Sequence, residues 1–130
     1  MRVYLVRHDE AVDRVPGMPD AARYLSARGR GSFRGMARRF REAGALPTRI
    51  FTSPLVRAVQ TAEILSEALQ YDGEVAVAPQ LAPGFDVDGL NAVLDAFPGE
   101  AEIAFVGHEP DLGDILARLL SLPRGYAMRK

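Results

Sequence analysis

Two stretches decide how this chain is read: Val3-Tyr4-Leu5-Val6-Arg7-His8 near its beginning and Ile103-Ala104-Phe105-Val106-Gly107-His108 near its end. Each is a short apolar run with the length and β-branched, aromatic content of a buried strand, and each ends on one of the chain's two histidines. The carboxyl ends of parallel strands in an open α/β sheet form the crevice where ligands bind. Residues far apart in sequence are therefore placed to meet there. A third run, Arg49-Ile50-Phe51-Thr52, repeats the arrangement: Ser53-Pro54 opens a helix, and Arg57 falls in its first turn. Two imidazoles, His8 and His108, and two arginines, Arg7 and Arg57, would then share one pocket.

Outward from these runs, strand and helix signals alternate. Residues 2–7 form the first strand, followed by a polar, proline-containing loop to Asp20. Ser26 is placed to cap a helix that continues through Met36, Ala37 and Phe40 and stops at Gly44, with Gly29, Gly31 and Gly35 weakening its first half. Residues 49–53 read as a strand and 55–70 as a helix with Val59, Ala62, Leu65 and Leu69 inward. A short strand over 74–78 precedes a loop to Asp86, then a helix over 87–97 that turns Leu90, Val93, Leu94 and Phe97 to the core. After the strand at 102–107, a helix starting at Pro110 or Asp111 carries Leu112, Ile115, Leu116, Leu119 and Leu120. This β-α-β-α-β-α-β-α order predicts a three-layer α/β/α fold with a mostly parallel central sheet and right-handed crossovers. One domain over residues 1–130 accounts for all of it, since there is no linker, repeat or low-complexity tract.

Composition narrows the function classes. At 48% hydrophobic and 25% charged, the chain has an ordinary globular balance. It has no apolar run long enough to span a bilayer and no signal-peptide pattern, so no membrane partner is expected and the default location is cytoplasmic. The absence of cysteine removes disulfides, thiolate metal sites and a cysteine nucleophile, and two histidines leave little for zinc. No metal or other cofactor is expected. Net charge is −1, yet the sixteen cations are fifteen arginines and Lys130. Arg28, Arg30, Arg34, Arg38, Arg39 and Arg41 cluster on one predicted helix without an aromatic platform beyond Phe33 and Phe40, which reads as a solvated face and not as a nucleic-acid surface.

The shared pocket has a definite chemistry. A neutral imidazole with one nitrogen held by a backbone carbonyl presents the other to phosphorus and can carry a phosphoryl group. Arg7, Arg57 and the amides opening the helix after Ser53-Pro54 are suited to the phosphoryl oxygens, and a cationic His108 to charge developing on them. Ser53 is either a phosphate contact or a helix cap, and Thr61 a second possible contact. A metal has no necessary part in this scheme.

At these residues the chain resembles the histidine phosphatase superfamily, also called phosphoglycerate mutase-like, and within it the small SixA-type phosphohistidine phosphatases. Leu5-Val6-Arg7-His8 resembles the family's opening Arg-His motif, whose histidine is phosphorylated during turnover. Residues 53–62, Ser-Pro-Leu-Val-Arg-Ala-Val-Gln-Thr-Ala, are similar to its Ser-Pro-x-x-Arg-x-x-Gln-Thr-Ala segment, and residues 106–112, Val-Gly-His-Glu-Pro-Asp-Leu, to the segment with the second active-site histidine. The resemblance implies catalytic roles for His8, Arg7, Arg57 and His108. Residues 23–29, Arg-Tyr-Leu-Ser-Ala-Arg-Gly, resemble a SixA-type stretch whose arginine reaches the phosphate, with Tyr24 in place of the usual proline. Arg23 therefore has two readings, a phosphate contact or a surface salt bridge with Asp20.

Departures from the family pattern carry information too. Larger members have an insertion supplying a general acid, for which residues 79–88 are too short, as they are in the SixA group. A missing acid suits a labile P–N bond, so the resemblance implies phosphohistidine on a phosphorylated protein such as a histidine phosphotransfer domain, with a small phosphoester as runner-up. Asp9 and Glu10 follow His8 where the family has glycine or alanine, and Asp9 either faces solvent or serves as an acid. Relatives continue into one further strand beyond the position of Lys130, leaving a sheet without its last strand as an open expectation, along with a monomer or weak dimer. A binding module that holds phosphate without turnover is the alternative from another class. A mutase proper fits less well, because such an enzyme needs a lid to keep water from its phosphorylated intermediate.

Overall fold

In the computed structural model, residues 1–120 are described, and within them four strands form one all-parallel sheet in the order β1-β4-β2-β3. The strands are β1 (Arg2–Arg7), β2 (Arg49–Thr52), β3 (Ala76–Val77) and β4 (Glu102–Gly107). The helices are α1 (Ala27–Glu42), α2 (Val56–Leu69), α3 (Val87–Ala96) and α4 (Asp111–Leu119). The predicted alternation and the three-layer architecture are both present. The expectation of a missing or further C-terminal strand lies outside the described residues.

The period-2 alternation of the strands sorts the core into two halves. Val6, Ile50, Ala104 and Val106 point to one face, where they meet Phe33 and Ala37 of α1 and Ala58, Ala62, Leu65 and Leu69 of α2. Phe51, Ile103 and Phe105 point to the other, against Leu90 and Val93 of α3 and Leu112 and Ile115 of α4. Strand β4, buried on both sides from Ile103 to Gly107, is the spine. Its neighbours pair in register: Arg7 with Gly107 on one side, Thr52 with Val106 on the other. The ends of β1, β4 and β2 are therefore level.

This topology also places the crevice. The helices that follow β1 and β2 pack on one face and the helix that follows β4 packs on the opposite face. Chains leaving neighbouring strands in opposite directions open a gap at the strands' carboxyl ends, the topological switch point of such sheets. Here it falls on both sides of β4.

Several local expectations are corrected. The third strand is only two residues long, because it pairs with no more than Phe51 and Thr52 at the sheet edge. Short 3-10 turns at Asp20–Ala22 and Pro79–Leu81 interrupt segments read as plain loops. On α2 the buried stripe runs through Ala58, and Val59 is only partly covered. Leu119 and Leu120 are more than half exposed, at 53% and 59%, instead of facing inward. Gly29 proves to be a requirement and not a weakness: a Cβ there would lie 2.1 Å from the Glu10 carbonyl oxygen. Ser26 caps α1 as expected, its hydroxyl accepting from the Gly29 amide at 2.9 Å.

Candidate active site

The Val6-Arg7-His8 run leaves β1 beside β4, and the His8 amide donates to the Gly107 carbonyl at 3.3 Å, continuing the ladder by one residue. This fixes the backbone from which the imidazole projects. His8 Nδ1 lies 2.7 Å from the Asp9 carbonyl oxygen. A carbonyl can only accept, so Nδ1 carries the proton and Nε2 keeps its lone pair. Arg57 Nε donates toward that Nε2 at 3.4 Å. Burial lowers the pKa of His8 first, and the charges of Arg57, Arg7 and Arg23 add to the lowering, outweighing the opposing bond to Asp9. The ring is consequently neutral at physiological pH.

His108 arrives from the end of β4. Its ring centroid is 5.1 Å from that of His8, so the two histidines do meet across the β1–β4 junction. His108 is only 4% exposed, and its Nε2 lies 2.7 Å from Ser53 Oγ, while Nδ1 is a buried polar atom without a hydrogen-bond partner among the described residues. Burial, then the neighbouring His8 and Arg57, pushes its pKa down to about 4. His108 is therefore neutral in the ligand-free state; the cationic form considered from sequence is one with the dianion bound.

Ser53 directly follows β2 and is fully buried, and its Oγ accepts from the Leu55 amide at 3.2 Å besides meeting His108. The N-cap position of α2 belongs to Leu55, so the cap expected of Ser53 is one residue pair removed from it. The hydroxyl is engaged with His108 and not directed at solvent. Pro54 and Leu55 launch α2 so that Arg57 sits in its first turn at 7% exposure. Thr61, a possible phosphate contact in the sequence, instead donates to the Arg57 carbonyl at 2.8 Å.

A carboxylate that sequence reading noted only as a partner of Arg23 is central here. Asp20 Oδ2 accepts from Arg57 Nη2 at 3.1 Å, the Asp20 carbonyl accepts from Arg57 Nη1 at 2.8 Å, and Oδ1 accepts from Arg23 Nη1 at 2.9 Å. Arg14 adds a looser ion pair at 3.4 Å. Arg23 also donates from Nε to the Val12 carbonyl at 2.9 Å, which anchors it to the loop leading from β1. The salt-bridge reading of Arg23 is thus realised, and its charge still reaches His8. The i, i+3 spacing of Asp20 and Arg23 was visible in sequence; the reach of Asp20 to Arg57 was not.

Arg7 is partly buried at the end of β1, and its charge bears on His8. Asp9 and Glu10 turn away from the imidazole. Asp9 Oδ1 accepts from the Glu10 amide at 2.7 Å, and Glu10 Oε1 accepts from the Ser26 hydroxyl at 2.8 Å, tying the loop to the start of α1. Glu109 Oε1 accepts from the Gly113 amide at 2.8 Å in the first turn of α4, and Asp111 reaches across to the Gly84 amide at 2.7 Å. The resulting cluster is cationic, with the unprotonated Nε2 of His8 facing Arg57 and a second imidazole alongside.

The family model for the histidine phosphatase superfamily (branch 1) matches residues 3–83, which include His8, Asp20, Arg23, Ser53 and Arg57. The chain belongs to this superfamily. Among similar proteins, the phosphohistidine phosphatase SixA of Escherichia coli is 31% identical over 121 residues, covering 92% of this chain and 74% of SixA. An uncharacterised protein of a Picosynechococcus strain is 38% identical over 121 residues, covering 88% of this chain and 70% of its own length. A solved structure of the protein histidine phosphatase SixA with tungstate superposes with a TM-score of 0.83 at 30% identity, over 92% of this chain and 76% of the other. The α-ribazole phosphatase of Shigella flexneri shares the fold, with a TM-score of 0.74 at 21% identity, over 95% and 82% of the two chains. His108 lies beyond the matched segment of the histidine phosphatase model, so its membership of the site rests on the geometry around β4.

Proposed function

We propose that this histidine phosphatase removes phosphate from phosphohistidine on a protein, through a phosphorylated His8 and without a metal ion. The observation that carries the reading is the His8 ring itself, with Nδ1 held by the Asp9 carbonyl and Nε2 unprotonated and facing Arg57. Nε2 attacks phosphorus, the bond from phosphorus to the substrate breaks, and water then cleaves phospho-His8. Arg57, Arg7 and Arg23 neutralise the phosphoryl oxygens in a partly dehydrated pocket, which is most of what phosphoryl transfer asks of a protein. Ser53 holds His108 so that its ring lines the same pocket, where an oxyanion would raise its pKa and complement its charge.

The substrate class is supported by the similarity to SixA and by that protein's complex with tungstate, a tetrahedral oxyanion like phosphate. It is supported also by chemistry: the carboxyls of Asp9 and Glu10 are engaged by the Glu10 amide and the Ser26 hydroxyl, which makes neither a ready acid for an alcohol leaving group, and a P–N bond has less need of one.

The test is hydrolysis of a phosphohistidine-bearing protein domain beside p-nitrophenyl phosphate, after EDTA treatment, with wild type and His8→Ala. Faster cleavage of phosphohistidine by wild type, with rapidly quenched enzyme carrying acid-labile phosphate, is the expected result; His8→Ala loses both, by about 10³-fold or more in rate. Preferential ester hydrolysis would shift the reading to small phosphoesters. Comparable activity in His8→Ala would remove His8 as nucleophile, and no turnover at all would leave a phosphate-binding module.

A further inference from the structure

Both oxygens of the Asp20 carboxylate bind arginines of the site. Oδ2 and the residue's own carbonyl grip Nη2 and Nη1 of Arg57, the end-on fork of that guanidinium, while Oδ1 takes Arg23 and, more loosely, Arg14. A guanidinium has a second, lateral fork made of Nε–H and the other hydrogen of Nη2. With its end held by Asp20, Arg57 turns this lateral edge to His8, and Nε already points at His8 Nε2. That edge is where a phosphoryl group on Nε2 would bind in bidentate fashion. Asp20 can therefore stay in place when phosphate arrives.

A carboxylate beside a phosphate site is costly unless it does something that the arginines alone cannot. The bonds from Arg23 and then Arg57 lower the pKa of Asp20 from its ordinary value, so it is ionised at neutral pH and supplies no proton. Its side chain is 37% exposed, and its charge is felt at His108. We propose that Asp20 is both the positioning residue for Arg57 and Arg23 and a specificity-determining residue, whose negative charge favours a protonated phosphoimidazole over substrates that release an oxyanion. This rests on the phosphohistidine reading above and names the feature that would produce it.

The bookkeeping of the step is simple. Phosphohistidine protonated at its distal ring nitrogen loses the P–N bond to His8 Nε2; the electron pair returns to the substrate ring, which leaves as neutral imidazole with its distal proton still attached. Phospho-His8, protonated at Nδ1, takes over the positive charge. A carboxylate beside the site stabilises the imidazolium that must be present at the start, and it asks for no proton transfer. A phosphoester releases an alkoxide or phenolate, whose charge the same carboxylate opposes.

The experiment compares Asp20→Asn, Asp20→Glu and wild type on a phosphohistidine-bearing protein domain and on p-nitrophenyl phosphate. Asparagine keeps the shape and an acceptor for Arg57 but removes the charge. The ratio of kcat/KM for phosphohistidine to that for the ester should fall by about tenfold or more in Asp20→Asn, the size of one charge-assisted hydrogen bond, with both rates lowered because Arg23 or Arg57 loses an acceptor. Asp20→Glu should keep a ratio close to wild type even where both rates drop. Equal losses on both substrates in Asp20→Asn would reduce Asp20 to a purely structural role and overturn the proposal while leaving the phosphohistidine reading intact. An unchanged ratio would also overturn it. Wild type that cleaves only the ester would defeat the phosphohistidine reading itself, a result distinguishable because it appears without any substitution.

Discussion

At the scale of single residues, the site depends on two imidazoles being neutral before substrate binds. In the proposed reaction this leaves the His8 lone pair available for attack and makes protonation of His108 a response to the incoming oxyanion. The same burial has a signature in stability. His108 has a folded pKa of about 4 against an ordinary 6.5, so between those values the unfolded chain binds more protons than the folded one. Stability is therefore lost as pH falls through that window and is fully present above it. From pH 7 to pH 5 the contribution of this one residue amounts to roughly 2 kcal/mol. Urea unfolding at the two pH values should show a drop smaller by about that amount in His108→Asn than in wild type; equal drops would mean that His108 is not held neutral by the fold.

Among the elements, α1 shows how a local preference yields to a tertiary contact. Its start is stitched to the loop after His8: Ser26 donates its amide to the Glu10 carbonyl at 3.0 Å, and Gly29 lets that carbonyl pass where a side chain would stand. Gly35, on the same helix, has open space around its missing Cβ. Two alanine substitutions with equal helix propensity should then act in opposite directions. Gly35→Ala should stabilise by about 0.5–1 kcal/mol, whereas Gly29→Ala should destabilise by roughly 1–3 kcal/mol through overpacking and disturb the backbone that holds Asp9 against His8. Denaturant midpoints of the two variants, with phosphatase activity measured alongside, check both halves. A stabilised, fully active Gly29→Ala would contradict the contact.

For the whole molecule, the decisive quantity is the concentration of positive charge at one point of a chain whose net charge is only −1. Arg7, Arg23 and Arg57 converge on His8 from β1, the loop before α1 and the start of α2. Binding an oxyanion at this junction couples all three segments, so phosphate or tungstate should stabilise the fold as a unit. At a ligand concentration one hundred times the Kd the gain is about 2.7 kcal/mol, which corresponds to a rise in Tm of roughly 5–10 °C for a domain of this size. Arg57→Ala should lose most of that shift while still unfolding cooperatively. A shift of the same size in Arg57→Ala would place the anion elsewhere. Among the described residues no helix is long and apolar enough to cross a membrane.

What the sequence determined by itself was local in origin. Apolar alternation and helix periodicity, with Ser26 as a cap, fixed the order of elements, since each depends on residues within one turn or one strand. Placing His8, Arg57 and His108 just beyond strand ends was enough to bring them together, because parallel strands in one sheet share their carboxyl edge. The tertiary structure alone decided what depends on neighbours far along the chain. Whether Leu119 is covered, whether Gly29 is needed, which way Asp9 turns and how short β3 is all follow from elements that no local pattern specifies. Asp20 is the clearest case. Its pairing with Arg23 is a three-residue spacing, but its hold on Arg57 spans 37 positions and exists only because the β1–α1 loop folds over the start of α2. The charge states follow the same division: a histidine is legible in sequence, but its pKa is set by burial and by arginines that only the fold brings near.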